Sequence, residues 1–450
     1  MSNSMSMIGG AILVLLLAGY LAQQYGLPPP KPKIVGIDLG TTFSSIGIYH
    51  AVTGRTTIIA DDLGKKSVPS VVAFLSNGSV LVGTRAVDQQ EKNPQRTIYD
   101  AKRFIGKVFQ PDDEQFLKYY FQADKKRYPF TILLDKEGRA YFEIPLDSGN
   151  KLLYPEEVGS IIIEYLKEAA EKHVESKLSQ AVISVPAEFT EEQRNFTAKA
   201  AELAGLEVRR VISEPTAAAL AYGLHKKQGI ENVVVVDLGG GTLDVSVLWL
   251  QGGTFVTQAM AGNNRLGGQD FNNRVQQFLL EKIKNQFGKE ITNKEDLQTM
   301  RLEIERAKLR LTAHPKTKIQ FKLVEIGEWS YEMTRDEFKE LNDDLLKSIE
   351  QPMEAALQDA NLDKEAVDEV VLVGGSTRLP AVRRIAGHFF GKPPNFGVDP
   401  ELAVVTGAAV QAGVIGGGWP LQVAAMELQT KRRKRHFYTD VESAKKKTEA

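Results

Sequence analysis

Residues 36–42 read GIDLGTT and residues 236–242 read VDLGGGT, and each stretch follows an apolar run and precedes a second, alternating one. Each copy therefore predicts a strand, a glycine-rich turn and a return strand. A repeat at this separation indicates two related lobes. We expect lobe I over residues 33–225, lobe II over residues 226–418 and a C-terminal tail over residues 419–450.

Strand and helix patterns alternate from residue 33 onward, which indicates an α/β fold. Apolar runs predict strands at residues 34–38, 43–49, 181–185, 233–237, 243–248 and 370–373. Helical periodicity predicts helices at residues 155–172, 191–204, 215–224, 270–287, 294–311, 335–360 and 402–414. Thr334 with Glu337 forms a capping box that predicts the start of the helix over residues 335–360.

The two glycine-rich turns have the composition of a phosphate site. Glycines let the backbone approach a ligand closely, and successive N–H groups in such turns cradle phosphate oxygens. Asp38 and Asp237 end the strands before the turns, where carboxylates can hold Mg²⁺ through its waters. The chain has no GxxxxGK[ST] motif, so the P-loop interpretation fails. The candidate phosphate contacts are Gly40, Thr41, Thr42, Gly239, Gly240, Gly241 and Thr242.

Two further segments add candidate ligand groups. Residues 370–378 combine an apolar strand, a Gly-Gly turn and a helix start with Ser376 as the expected cap, which favours an anion or a ribose. Glu214 precedes a proline-initiated helix of small residues. Its carboxylate there can reach a metal-bound water or interact with the helix dipole.

Composition excludes several function classes. The net charge of the 450 residues is −1, so the chain lacks the basic footprint of a nucleic-acid-binding protein. Cysteine is absent, which excludes disulfides and a thiolate nucleophile. The six histidines do not have the spacing of a zinc site.

The N-terminus predicts a targeting segment. Residues 1–30 carry no charged side chain, and residues 7–22 are apolar. This run is long for a signal-peptide core and short for a membrane span. We expect residues 1–22 to be a cleaved signal peptide, with an uncleaved membrane anchor as the alternative. Two glycosylation sequons, at Asn77 and Asn195, would matter in a lumenal protein.

The C-terminal tail has an apolar part and a basic part. Residues 419–428 are expected to pack on their own lobe, with docking of a partner as the alternative. The basic run over residues 431–436 is expected to be solvated, as most short charge runs are.

Seven motifs in a fixed order resemble the ATPase domain of the seventy-kilodalton heat-shock protein family. The likeness spans residues 34–413, and it implies a duplicated actin-like, ribonuclease H-like ATPase fold with a nucleotide cleft between two lobes. The apolar N-terminus and short tail resemble a microsomal branch of the family that consists of the ATPase domain alone. The motifs are GIDLGTT (36–42), DAKRFIGK (100–107), SVPAEFTEEQR (184–194), EPTAAALAYGL (214–224), VDLGGGTLDVSVL (236–248), LGGQDF (266–271) and LVGGSTR (372–378).

The resemblance implies roles by position. Lys102 would reach the attacking water or the γ-phosphate of ATP, and Asp244 would position the water. Hydrated Mg²⁺ would be held by Asp38, Glu214 and Asp237, with K⁺ as a further candidate ion. Pro186 and Arg194 match the residues that couple this domain to a peptide-binding domain. ATP or ADP would contact Gly40, Thr41, Thr42, Phe43, Gly239, Gly240, Gly241, Thr242, Gly267, Gly268, Glu305, Lys308, Thr312, Gly374, Gly375, Ser376, Arg378 and Glu401.

Four positions depart from the family pattern. Leu309 stands where the family has an arginine that stacks on adenine, and Glu188 stands where it has an aromatic residue. Ser213 replaces an asparagine, and Glu401 replaces an aspartate. These positions concern adenine contact and signalling between domains rather than the charged groups of hydrolysis.

The sequence leaves three functions open. The expectation is a Mg²⁺-dependent ATPase that works without bound peptide, because the residues after Gly413 are too few for the family's peptide-binding β-sandwich. A nucleotide-gated adaptor for co-chaperones or client proteins is the alternative, and a sugar kinase is the third. We expect a monomer in the endoplasmic reticulum lumen, with secretion or membrane anchoring through the N-terminal segment as alternatives, and no nucleic-acid partner.

Overall fold

The two repeated motifs each form the centre of a mixed sheet. The computed structural model describes residues 14–17, 31–109, 128–417, 426–428 and 433–437. In both lobes the motif strand pairs antiparallel with its return strand and parallel with a later strand. The matching layout confirms the duplicated α/β fold of the actin-like type. The lobe I sheet has the order Glu207–Ser213, Gln180–Val185, Ile34–Leu39, Phe43–His50, Arg55–Ile58, with Val68–Pro69 on Phe43–His50. The lobe II sheet has the order Glu369–Val373, Asn232–Leu238, Leu243–Gln251, Thr254–Asn263, Met426–Leu428, with Arg435–His436 also on Thr254–Asn263.

The central strands are continuous apolar runs because helices cover both faces of each sheet. Val233, Val234 and Val236 are fully buried. The flanking helices present apolar stripes; in Gly268–Phe287 the residues Phe271 and Val275 begin a buried row at four-residue spacing. The α-helices are Thr84–Asp88, Pro155–Val174, Glu191–Leu203, Glu214–Ala221, Gly268–Phe287, Lys294–Ala313, Arg335–Leu341, Asp343–Lys347, Glu350–Ala360, Pro380–Phe390 and Ala403–Ile415.

Small sheets and short helical turns complete the lobes. The outer strands are Val72–Phe74, Val80–Val82 and Thr97–Ile98 in one sheet and Thr131–Leu134, Ala140–Ile144 and Lys151–Leu153 in a second. Lobe II carries the hairpin Lys316–Leu323 and Gly327–Thr334. The 3₁₀ turns are Pro94–Arg96, Ala101–Arg103, Leu224–Lys226, Lys364–Ala366 and Gly375–Arg378.

The helix predicted over residues 335–360 is wrong as a single element, because the structure divides it into three helices. Asn342 is fully buried, and its side chain donates to the Phe338 carbonyl (2.9 Å), while its own backbone is not helical. The second break falls at Ser348 and Ile349. Pro352 lacks the N–H that would bond the Ser348 carbonyl in a continuous helix.

The helix Ala403–Ile415 lies between strands of the lobe II sheet in sequence but packs on lobe I. It contacts the strands Ile34–Leu39 and Phe43–His50 and the helix Glu214–Ala221. Small residues allow the close approach, since a Cβ on Gly407 would lie 1.7 Å from the Ala217 carbonyl oxygen. The predicted boundaries of residues 226–418 for lobe II therefore include one helix that belongs structurally to lobe I.

The termini fall largely outside the described residues. Within the described part of the chain, no helix is long and apolar enough to cross a membrane. The predicted targeting segment is described only at residues 14–17. The described part of the apolar tail, Met426–Leu428, adds a parallel strand to the lobe II sheet. The expectation of a solvated basic run is wrong for Lys434, which is 8% exposed.

Candidate nucleotide site

The two glycine-rich turns face each other across a cleft between the lobes. A Cβ on Gly240 would lie 2.8 Å from the Thr42 hydroxyl oxygen of the opposite lobe. A Cβ on Gly267 would lie 2.4 Å from the Gly241 nitrogen, and Gly268 donates to the Gly239 carbonyl (3.0 Å). Bare backbone therefore lines this part of the cleft, which is the surface that a phosphate chain requires.

Carboxylates from both lobes gather beneath the turns. Asp38 accepts a hydrogen bond from Ser184 (2.9 Å), and Glu214 pairs with buried Lys102 (2.7 Å). Burial, followed by the charge of Glu214, raises the pKa of Asp38 to about 6. Burial, with Glu214, Asp244 and Asp38 adding to it, raises the pKa of Asp237 well above its usual range. The cluster is thus short of positive charge.

A second group of predicted residues meets on the lobe II wall. Lys308 is buried and donates to Glu305 (2.8 Å) and to the Gly268 carbonyl (3.1 Å). Ser376 does not cap a helix as predicted, because the chain turns through Gly375–Arg378 first; its hydroxyl donates to the Gly239 carbonyl (2.8 Å). These contacts join three distant motifs into one surface beside the lobe II turn.

The outer part of the predicted adenosine site is more open. Arg378 forms an ion pair with Asp399 and lies 3.8 Å from Glu401. Leu309 is 52% exposed, and Phe43 is 42% exposed. The remaining predicted contact, at Thr312, donates to the carbonyl of Leu309 within its own helix (2.7 Å).

Gly374 shows how closely the LVGGSTR motif packs against the VDLGGGT motif. Its backbone has φ 84°, and a Cβ there would lie 2.3 Å from the Leu238 carbonyl oxygen and 2.6 Å from Asp237 Oδ1. Only glycine fits this position without displacing the carboxylate. Gly374 therefore lets the strand Glu369–Val373 lie directly beside the strand that carries Asp237.

Several contacts cross the cleft. Arg103 of lobe I donates to the Asn264 carbonyl of lobe II (3.3 Å). Near the outer rim, Arg301 pairs with Glu91 (3.1 Å). Side chains of the two lobes therefore contact each other at two separate places.

Sequence reasoning missed Lys434. Its ammonium group contacts Asp244 and Glu188, so it contributes positive charge to the acidic end of the cleft. The signal that was available is Glu188 itself, a carboxylate in place of an expected aromatic residue, which calls for a cationic partner.

The residues present fit a magnesium nucleotide. Clustered carboxylates with raised pKa values favour a bound cation, and glycine backbone lines the adjoining space. Within the described residues, no three His, Cys, Asp or Glu side chains are set to ligate a metal directly. The contact predicted for Asp38, Glu214 and Asp237 is through water, which suits Mg²⁺ because this ion dehydrates reluctantly.

Comparison with known proteins agrees with this geometry. Residues 34–429 match the family model described as Hsp70 protein. The chain is 46% identical to Heat shock 70 kDa protein 13 of Rattus norvegicus over 475 aligned positions, which cover 96% of this chain and 98% of that protein. The proteins of the same name from Mus musculus and Homo sapiens are each 45% identical with the same coverage.

Proposed function

Since the chain belongs to the Hsp70 family, we propose that it binds ATP between its lobes and hydrolyses it to ADP and phosphate with Mg²⁺, without needing a bound peptide. The observation that carries the proposal is the pair of glycine-rich turns facing each other above one carboxylate cluster, with Gly240 against Thr42. A phosphate chain held by both turns would place its terminal group near Lys102 and Asp244.

The chain's own residues have distinct tasks in this proposal. When bound, Mg²⁺ would supply positive charge to the phosphate oxygens. Asp38, Glu214 and Asp237 would orient it through water, and Asp244 would orient the attacking water. The Lys102 ammonium lies 2.7 Å from Glu214 Oε1 and is 5% exposed in its side chain, so it is held ready to stabilise charge on the transferred phosphoryl group.

Single-turnover hydrolysis by the full chain tests this function. The Lys102→Met variant should release phosphate roughly 10²- to 10³-fold more slowly, because a preorganised cation at developing charge is lost. Lys136→Met, which removes an exposed lysine from the same lobe, is the matched control and should match the wild type. An added hydrophobic peptide should leave the rate unchanged.

The opposite result supports the second function. ATP that binds tightly but is not hydrolysed in a Lys102-dependent way would contradict the ATPase proposal. It would favour a nucleotide-gated adaptor, in which lobe closure presents a surface to co-chaperones or client proteins.

The finer likeness to microsomal, ATPase-only members of the family leads us to propose the endoplasmic reticulum lumen as the location. Asn77 is exposed in a turn, whereas Asn195 is exposed within the helix Glu191–Leu203. Expression in cells should give a glycosidase-sensitive species that Asn77→Gln removes and Asn195→Gln leaves in place. A species insensitive to glycosidase in both the wild type and the variants would argue against glycan addition in the lumen.

A further inference from the structure

A short strand near the C-terminus brings one lysine into the cleft. Arg435–His436 pairs with Ala261 and Gly262 on the edge of the lobe II sheet, and Phe437 donates to the Gly262 carbonyl (2.8 Å). Lys434 directly precedes this strand and is buried, whereas Arg433 and Arg435 on either side of it are exposed. Of these three basic residues, Lys434 is therefore the one that enters the site.

The aliphatic part of the Lys434 side chain packs closely against Gly262. A Cβ on Gly262 would lie 2.6 Å from Lys434 Cε, so the absence of a side chain at residue 262 leaves room for the lysine. The Lys434 side chain is only 2% exposed. Burial of a long charged side chain to this degree requires partners for its charge.

Three oxygens satisfy the ammonium group, and they come from both lobes. Lys434 Nζ donates to Asp244 Oδ1 (2.5 Å) and to Asn264 Oδ1 (2.9 Å) in lobe II, and it lies 3.2 Å from Glu188 Oε2 in lobe I. An ammonium has three donors, so the set is complete. The Lys434 ammonium group therefore holds the Asp244 carboxylate of lobe II and links it to Glu188 of lobe I.

The charges at this place explain why the tie is needed. Glu188 and Asp244 are neighbouring carboxylates, and burial followed by Asp244 raises the pKa of Glu188 against the opposing effect of Lys434. Although burial disfavours the ammonium, Asp244 and Glu188 together raise the pKa of Lys434. Without the lysine, the two carboxylates would repel each other across the lobe boundary.

We propose that Lys434 is a positioning residue for hydrolysis, which holds Asp244 in place and ties Glu188 of lobe I to lobe II. The proposal rests on the proposed ATPase function for its catalytic consequence only. The tie between the lobes is a property of the protein without nucleotide. The same segment touches lobe I a second time, where the Glu427 carboxylate accepts from the Ser213 backbone (2.9 Å).

The first test is single-turnover hydrolysis by the full chain. Lys434→Met should lower the rate about 10- to 100-fold, as loss of positioning does, with a smaller change in the Kd for ATP. Arg433→Met removes a neighbouring exposed charge and should leave the rate unchanged. In an Asp244→Asn background, Lys434→Met should add little, because both changes remove one function.

The second test needs no nucleotide. The chain has no cysteine, so Lys172→Cys in lobe I and Asn285→Cys in lobe II accept spin labels selectively. Lys434→Met should broaden the distance distribution between the labels, and Arg433→Met should not. Glu188→Gln is a milder variant for use if Lys434→Met folds poorly; it should broaden the distribution with a smaller loss of rate.

The two tests separate the proposals. A wild-type chain that fails to hydrolyse ATP overturns the ATPase function, and the label distances then decide whether the tie exists. If the wild type hydrolyses ATP and Lys434→Met matches Arg433→Met, or is faster than the wild type, the positioning role is overturned. A rate loss that multiplies fully with that of Asp244→Asn would also overturn it, because Lys434 would then act independently.

Discussion

Replacing Asp38 with asparagine should stabilise the nucleotide-free chain while it impairs hydrolysis. The carboxyl group lies among other acids, and burial followed by Glu214 raises its pKa to about 6, against the opposing effects of Lys102 and Ser184. An ionised Asp38 is therefore less favourable in the folded chain than in the unfolded chain. An amide of the same shape removes the unfavourable charge and can still accept the hydrogen bond from Ser184.

The expected gain in the free energy of unfolding for Asp38→Asn follows from the raised pKa of Asp38. The rise from 3.8 to about 6 is roughly two pH units, and each unit is worth about 1.4 kcal/mol. This gives an upper limit of about 3 kcal/mol at neutral pH, in which the attraction to Lys102 is already included.

The stability advantage of Asp38→Asn over the wild type depends on pH through the ionisation of Asp38. Below pH 3.8 both folded and unfolded chains carry the proton, so the ionised group imposes no penalty. The penalty grows as the pH rises from 3.8 to about 6 and is complete above it. The advantage of the variant should therefore be largest at neutral pH and shrink as the pH falls toward the usual value for aspartate.

Urea unfolding of the full chain without nucleotide measures this advantage. The midpoint for Asp38→Asn should rise at neutral pH with an unchanged dependence on urea. Asp147→Asn, at an exposed position, is the control and should change the free energy of unfolding by less than about 0.5 kcal/mol. A destabilised Asp38→Asn variant at neutral pH, or an advantage that persists in acid, would refute the reasoning.

Two further substitutions test the adenine contact assigned to Leu309 and the close packing at Gly374. Leu309→Arg should raise ATP affinity roughly 5- to 30-fold, since a guanidinium at this exposed position can stack on adenine for about 1–2 kcal/mol; calorimetry measures it, and an unchanged Kd contradicts the assigned adenine position. Gly374→Ala should cost about 1–3 kcal/mol of stability and weaken ATP binding, because its Cβ would meet the Leu238 carbonyl oxygen at 2.3 Å. Gly391→Ala is the matched control, with φ 64° and no atom within 4 Å of its Cβ, and an equal loss in both variants would show that backbone strain alone is responsible.

Much of the fold could be predicted because the decisive signals are local. The valine-rich run in Asn232–Leu238 is apolar on both faces, and this is what a central strand beneath two helical layers requires. The glycine-rich turns were visible as a repeat, and each one returns its strand into the same sheet. The breaks at Asn342 and at Ser348 and Ile349 are also local, but the strong helical periodicity around them masks the change in backbone.

The lobe assignment of Ala403–Ile415 could not be obtained in this way. This helix is apolar on all sides, so it has no amphipathic stripe to indicate which sheet it covers. Its place is decided by Gly407 and Ala217, which are distant in sequence and allow the two backbones to meet. Such a choice depends on the shape of the partner surface rather than on a pattern within the helix.

Lys434 shows a different limit. A run of basic residues has nearly uniform chemistry, and it predicts a solvated face when it is examined alone. In the folded chain Lys434 is buried, while Arg433 and Arg435 beside it are exposed. The compensating acids, Glu188 and Asp244, belong to different motifs and meet only when the lobes have assembled. The motifs identify each carboxylate separately, whereas the pairing of these negative charges with Lys434 exists only in the assembled cleft. An acid that stands where a motif usually has an aromatic residue, as Glu188 does, therefore predicts a cationic partner that is distant in sequence.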